Sequence, residues 1–446
     1  MIIKDILTID LSEDIKNVID LQQFSEAEIS QEIENYIITD GLAREYNKFV
    51  TTFTSNISET GVWISGFYGS GKSYFGKLLG YMLNNKVILG TPARDRILQR
   101  FTGIDDEALI KNSILNLNSL NCRVVFLDLG KQNTSKGLAY TLYENFLSSI
   151  GLPMNEHGAF LYQLMINENT TNIYNYVSKH LGVNWDELKS SMLQYSKAAK
   201  TIYIQDGNSE VDYNNLITTI RRDIDQFSST RLCVELNNYL QLVKDEKIIF
   251  MFDETSEAIG QQKFSLLDLE GISESLTSLG GKVWTIAIAQ ERLDDVISNS
   301  KINKAQLTKV TDRFKTKIHL ESTEVDIIIK NRLLKKTDAS IAQLTDNYNR
   351  RSGMIADHAA LVGNGISKTD TLDSYITYYP FYKSQFDLLQ NFLFGKKGLT
   401  STRVANRGMI ITTYDILKLS LQHNNLYEVA TGWQIAQQAE KNADVR

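Results

Sequence analysis

The chain has 446 residues, 42% of them hydrophobic and 22% charged, with a formal net charge of −6. This length provides for two or three domains with large cores, and the acidic balance argues against a generally basic nucleic-acid coat. No apolar run approaches the roughly 20 residues of a membrane span. The N-terminus lacks a signal-peptide layout, and Cys122 and Cys233 match no metal spacing and read as small core residues. A reduced, cytoplasmic protein is the expectation.

Residues 1–54 read as an N-terminal element of mixed strand and helix. Within it Ser25-Glu-Ala-Glu-Ile-Ser-Gln-Glu-Ile-Glu-Asn-Tyr has the pattern of a capped helix leading into Ile37-Ile-Thr-Asp40, and a second helix runs from about Gly41 to Thr54. An apolar strand, Val62-Trp-Ile64, then enters Gly66-x-x-x-x-Gly71-Lys72-Ser73 and is followed by a helical pattern. That strand, loop and helix are the P-loop layout. Gly66, Gly69 and Gly71 let successive backbone N–H groups, Ser70 among them, curl around phosphate oxygens without a Cβ in the way. Lys72 can reach the β- and γ-phosphates of ATP, the Ser73 hydroxyl can ligate Mg²⁺, and Tyr74 follows on the same turn. The helix that begins here directs its positive end at the same anion.

A second strand is expected at Arg123-Val-Val-Phe-Leu-Asp-Leu129. Residues of about 136–243 then read as a helical insertion with amphipathic spacing at Leu142, Phe146 and Leu147. Strand signals return at Lys247-Ile-Ile-Phe-Met-Phe-Asp253-Glu254 and Val283-Trp-Thr-Ile-Ala-Ile-Ala-Gln290. Both are near-continuous apolar runs, as strands buried on both faces of a parallel sheet require. The first fits the acidic strand of a P-loop ATPase: Asp253 would help Ser73 hold Mg²⁺, and Glu254 would deprotonate the attacking water. Gln290 ends the second strand, where a polar side chain can contact the γ-phosphate or the water; a solvated strand end is the other reading.

Leu307-Thr-Lys-Val-Thr-Asp312-Arg313-Phe314 forms a short helix before a final strand, Lys317-Ile-His-Leu320. Arg313 is placed either to enter a neighbouring subunit's site and stabilise transition-state charge, or to pair with Asp312 on the surface. Beyond Ser322 the pattern is mainly helical. Ser401-Thr-Arg403-Val-Ala-Asn-Arg407-Gly opens a helix from which Arg407, in preference to Arg403, could reach back to the phosphates. The core is therefore expected at 55–322 and a helical lid domain at 323–446. The five histidines form no metal-binding pattern. Basic spots such as Arg221-Arg222 are too sparse for a nucleic-acid groove, which leaves DNA binding possible but unsupported.

Several of these features together resemble the BrxC/PglY family, the P-loop proteins of BREX phage-defence systems. They are Tyr36-Ile-Ile-Thr-Asp40, Trp63 with Phe67-Tyr68 around the loop, the Phe-Asp-Glu strand end, Thr311-Asp-Arg-Phe314, and Tyr379-Pro-Phe ahead of Arg407-Gly-Met. The resemblance spans the chain apart from the helical insertion. It implies a AAA+-like fold, a homo-oligomer, and a bacterial ATPase working with other proteins of that system. Members are usually longer, so a further C-terminal region is also implied.

Overall fold

The computed structural model describes residues 1–12, 25–55, 57, 59–66, 71–182, 192–299, 304–320, 325–358, 371–394 and 402–444. Seven strands are labelled in chain order: β1 (Gly61–Gly66), β2 (Val87–Ile88), β3 (Thr91–Pro92), β4 (Asn121–Asp128), β5 (Glu246–Asp253), β6 (Val283–Ala289) and β7 (Thr316–Leu320). Five of them form one sheet in the order β4-β5-β6-β1-β7, with every neighbouring pair parallel. β2 and β3 pair separately as a minimal antiparallel hairpin.

The apolar runs explain the burial. Every residue of β1 and β6 is buried, and so are Ile248–Asp253 of β5. Successive side chains of a strand point to opposite faces, so β5 divides between two cores. Ile248, Phe250 and Phe252 join one cluster, while Ile249 and Met251 join the other. The second of these cores lies under helices Asp40–Thr54, Lys72–Asn84, Ala93–Leu98 and Glu107–Leu115, through Phe49, Phe53, Leu78, Ile97 and Ile114. The first lies under the insertion. Six helices between β4 and β5 are among the described residues, running from Leu138–Ser149 to Ser229–Leu242. The insertion is thus not an appendage: Leu142, Phe146 and Leu147 are buried and form part of one face of the sheet's own core.

The N-terminal segment is divided in space. Helix Glu26–Asn35 starts at a capping box in which Ser25 and Glu28 satisfy each other's backbone N–H, and the helix after it, Asp40–Thr54, packs on the sheet. Residues 1–12 instead join a third core, where Ile3, Ile6, Leu7 and Leu11 pack with Leu333, Leu344, Tyr375 and Leu417. Backbone bonds fix this docking, from Ile3 N to Asn424 O at 3.0 Å and from Thr8 N to Lys335 O at 2.9 Å. The strand character expected before residue 60 is confined, among the described residues, to isolated bridges at Ile2↔Asn425 and Leu7↔Lys336. From Val325 onward the described elements are helical. No described helix is long and apolar enough to cross a membrane.

Candidate active site

The sheet aligns the C-terminal ends of its strands in one row. Register pairs Asp128 with Asp253 across β4 and β5, and Ser65 with Ala289 across β1 and β6. Gly66, Asp253, Glu254 and Gln290 therefore share one edge. β6 lies between β1 and β5, so the acidic strand is separated from the glycine loop by one strand, about 10 Å at roughly 4.8 Å per strand.

Gly71 starts the helix Lys72–Asn84 with φ 80 and ψ 18, a left-handed conformation that a side chain would strain. The turn aims Lys72 at the acidic strand: it is buried, and its charge reaches both Asp253 and Glu254. Ser73 hydrogen-bonds the Asp253 carboxylate. Asp253 also accepts the Glu254 N–H at 2.9 Å. Burial nevertheless pushes the Asp253 carboxyl above its ordinary range, with Asp128 on the neighbouring strand adding to the rise.

Glu254 leaves β5 at φ 58, ψ 31, an uncommon conformation for a residue with a side chain. One of its carboxylate oxygens is buried and has no hydrogen-bond partner. Its carboxyl is pushed up to about 8, first by burial and then by contact with Glu257 one helical turn on. Glu257 also accepts a hydrogen bond from the Gln290 side-chain amide, and the Gln290 backbone N–H donates to Ser256 Oγ at 3.1 Å. Gln290 is thus held by the turn after the acidic strand and is not a solvated strand end.

Tyr74 stacks on Tyr36, with ring centroids 4.9 Å apart and an 8° angle between planes, and donates its hydroxyl to the Glu32 carbonyl at 2.6 Å. The stack fixes helix Glu26–Asn35 beside the loop. Arg313 lies elsewhere. It precedes β7, and its carbonyl would be 2.2 Å from a Cβ on Gly61, the first residue of β1. It sits at the opposite edge of the sheet, roughly 17 Å from the loop along β1 at about 3.3 Å per residue. Its guanidinium pairs with Glu274 at 2.6 Å and approaches Glu270 at 3.8 Å. Among the described residues its ion pairs are therefore with these two glutamates and not with the adjacent Asp312. Gly69, Ser70, Phe67 and Tyr68 fall outside the described residues, as do the side chains of Arg403 and Arg407; helix Thr402–Asp415 is described in its backbone.

Sequence reasoning missed Glu257, Ser256 and Asp128. Glu257 carried a signal, since three residues along a helix returns a side chain to the same face as Glu254. Asp128 ends an apolar strand as Asp253 does, but adjacency of β4 and β5 is a property of the sheet. A further missed group is Lys263, which donates to the carbonyls of Leu129 at 3.1 Å and of Gly130, clamping the loop that lies against Glu254.

The parallel order and the glycine-lysine-serine loop define an α/β P-loop fold of the additional-strand type. No family model matches the chain. Among solved structures it is similar to the Aeropyrum pernix ORC2 protein in ADPNP-ADP complexes, at 11% identity and a TM-score of 0.42, over 92% of this chain and 71% of that one. The ADP form of the same protein aligns at 12% identity and a TM-score of 0.32, over 97% and 88% of the two chains. C. elegans PCH-2 aligns at 12% and 0.26, over 94% and 69%. Likenesses this distant assign no function, and the fold class rests on the strand order and the loop.

Proposed function

We propose that this chain binds ATP with Mg²⁺ at Gly66–Ser73 and hydrolyses it. The observation that carries the reading is the contact of Ser73, one residue after the loop lysine, with the buried Asp253 carboxylate that ends β5. A hydroxyl and a carboxylate are hard oxygen donors, and Mg²⁺ is held by one or two such groups alongside phosphates and water. Bound there, the ion would neutralise charge on the phosphate oxygens. Lys72 supplies a buried cation to the phosphates, Gly71 opens the backbone to them, and Tyr74 borders the loop. Glu254, with its unpartnered buried oxygen, takes the proton of the attacking water, and Gln290 orients that water.

Glu254→Gln retains shape and size but cannot take a proton. It is expected to bind ATP with wild-type affinity by calorimetry while steady-state phosphate release falls at least 100-fold, within the range for loss of a general base. Unchanged turnover would remove Glu254 from this role.

The Glu254–Glu257 contact favours a second reading: an ATP-gated scaffold with slow turnover. With Glu254 in contact with Glu257 and Gln290 held by Glu257, hydrolysis waits on rearrangement. Mass measurement with and without ATP, beside phosphate release, separates the two. Assembly on ATP with negligible turnover supports the scaffold.

The finer assignment is a cytoplasmic, homo-oligomeric ATPase of a bacterial BREX phage-defence complex, contacting other proteins of that system. Trp63, Tyr36–Asp40, Thr311–Phe314, Tyr379–Phe381 and Arg407-Gly-Met support it. A phage-plating assay tests it: Lys72→Ala in the otherwise complete system is expected to abolish protection. Turnover stimulated by DNA would move the reading towards a DNA-remodelling ATPase.

A further inference from the structure

The strand that leads to Gln290 is pinned from both sides where it ends. Towards β5, the Gln290 backbone N–H donates to Ser256 Oγ at 3.1 Å. Towards β1, the Trp63 indole N–H donates to the carbonyl of Glu291, the next residue, at 3.1 Å. The short helix that supplies Ser256, Thr255–Gly260, is itself tied back to β5. Thr255 Oγ1 donates to the Phe252 carbonyl at 3.2 Å, and Ala258 N–H donates to the Glu254 carbonyl at 2.9 Å. The Gln290 backbone is therefore fixed next to the turn that carries Glu254, and only its side chain is left to be placed.

Glu257 places it. Its carboxylate accepts a hydrogen bond from the amide nitrogen of the Gln290 side chain. A glutamine amide has a donor end and an acceptor end of nearly the same shape, and turning about its last bond exchanges the two at little cost. A carboxylate has lone pairs but no proton to give, so only the nitrogen end can face Glu257. The carbonyl Oε1 is thereby left at the other end of the amide as an acceptor. An attacking water has two hydrogens. Glu254, one of whose buried oxygens has no hydrogen-bond partner, takes the first, and an acceptor for the second fixes how the water's lone pair is aimed.

We propose that Glu257 is a positioning residue for ATP hydrolysis that acts through Gln290: by holding the amide nitrogen, it assigns Oε1 to the attacking water. The inference rests on the hydrolytic reading of the site and supplies what that reading lacks, the reason a glutamine at this strand end presents its acceptor and not its donor. An unheld amide would offer the water either end. Holding one end before the water arrives removes the wrong arrangement, which is the gain from preorganising a catalytic group. Glu257 need touch neither nucleotide nor water to have this effect.

The test is steady-state phosphate release by the full chain, beside calorimetric titration with ATP. Glu257→Ala frees the amide and is expected to lower kcat by about tenfold or more. Its ATP affinity should match wild type, which excludes unfolding as the cause of the loss. Glu257→Gln keeps a carbonyl acceptor at the same place and should hold kcat within about threefold of wild type. Gln290→Ala should lose about as much as Glu257→Ala, and the double variant no more than either, because a holder has no effect once the amide is gone. Losses that add in the double variant would assign Glu257 to Glu254 and overturn the proposal. So would unchanged turnover in Glu257→Ala, faster turnover there (the mark of a latch), or a loss in Glu257→Gln equal to that in Glu257→Ala. Glu254→Gln keeps the two failures apart. Full turnover in that variant, or none in wild type, sinks the hydrolytic reading and this inference with it, whereas an inactive Glu254→Gln beside a fully active Glu257→Ala removes the positioning role alone.

Discussion

Three adjacent charges decide the chemistry at the residue scale. Lys72, Asp253 and Glu254 are brought together in a region where burial raises both acids, and Lys72 is the cation that opposes the rise. Truncating it removes the phosphate contact and leaves two carboxyls without that charge. Losing one partner of a buried charged contact costs about 2–5 kcal/mol. Lys72→Ala is accordingly expected to weaken ATP binding by roughly 30-fold or more, measured by calorimetry or a fluorescent nucleotide. Affinity within threefold of wild type would place the phosphates elsewhere.

Position of the loop is a matter for the element that carries it. Helix Lys72–Asn84 approaches the sheet through Gly76 and Gly80, one turn apart. A Cβ at Gly80 would lie 1.9 Å from the ring of Phe126 on β4, whereas at Gly76 it would meet the Cδ1 of Ile288 at 2.3 Å. Alanine is the better helix former by about 1 kcal/mol, but a Cβ at Gly80 would overlap three atoms of the Phe126 ring within 2.8 Å, against a single Ile288 atom under 3.0 Å at Gly76, and overpacking costs about 1–3 kcal/mol. Gly80→Ala is expected to lower the urea midpoint more than Gly76→Ala, and to weaken nucleotide binding because the helix displaces Lys72. The reverse order would show that the sheet yields more readily than the side chain. This close approach was not legible in the sequence, although the strand and helix themselves were. Continuous apolar runs identify β1, β5 and β6 because parallel strands need both faces covered. The hairpin at 87–92, the short helices after it and the docking of residues 1–12 on the C-terminal domain escaped, since two-residue strands have no period and docking is decided by partners over 300 residues away. Asp253 and Glu254 were legible for the same reason as their strand, and Glu257 was legible through its three-residue spacing from Glu254, whereas its contact with Gln290 needed the sheet order.

The whole molecule poses the question of where a second charge comes from. Arg313 stands at the sheet edge opposite the loop, so it cannot serve the site of its own chain without dismantling β1 and β7. Within the chain it is only partly satisfied: Glu274 holds one end, while its buried Nε and a Glu270 oxygen lack hydrogen bonds. An arginine held at one end, with its Nε not hydrogen-bonded at that edge, suits a neighbour's phosphate site in a ring or filament, where one head-to-tail interface joins the two edges. Arg313→Ala is then expected to leave ATP affinity within twofold while turnover falls by about a thousandfold, the lower range for such an arginine. The decisive experiment mixes two inactive proteins. Glu254→Gln supplies Arg313 to a partner but has no base, and Arg313→Ala keeps its base but lacks the arginine. Mixed subunits should form interfaces with one intact site and regain turnover, with the gain rising with protein concentration. If mixing restores nothing, or if Arg313→Ala alone hydrolyses at the wild-type rate, the guanidinium is a structural partner of Glu274 and the site is complete within one chain.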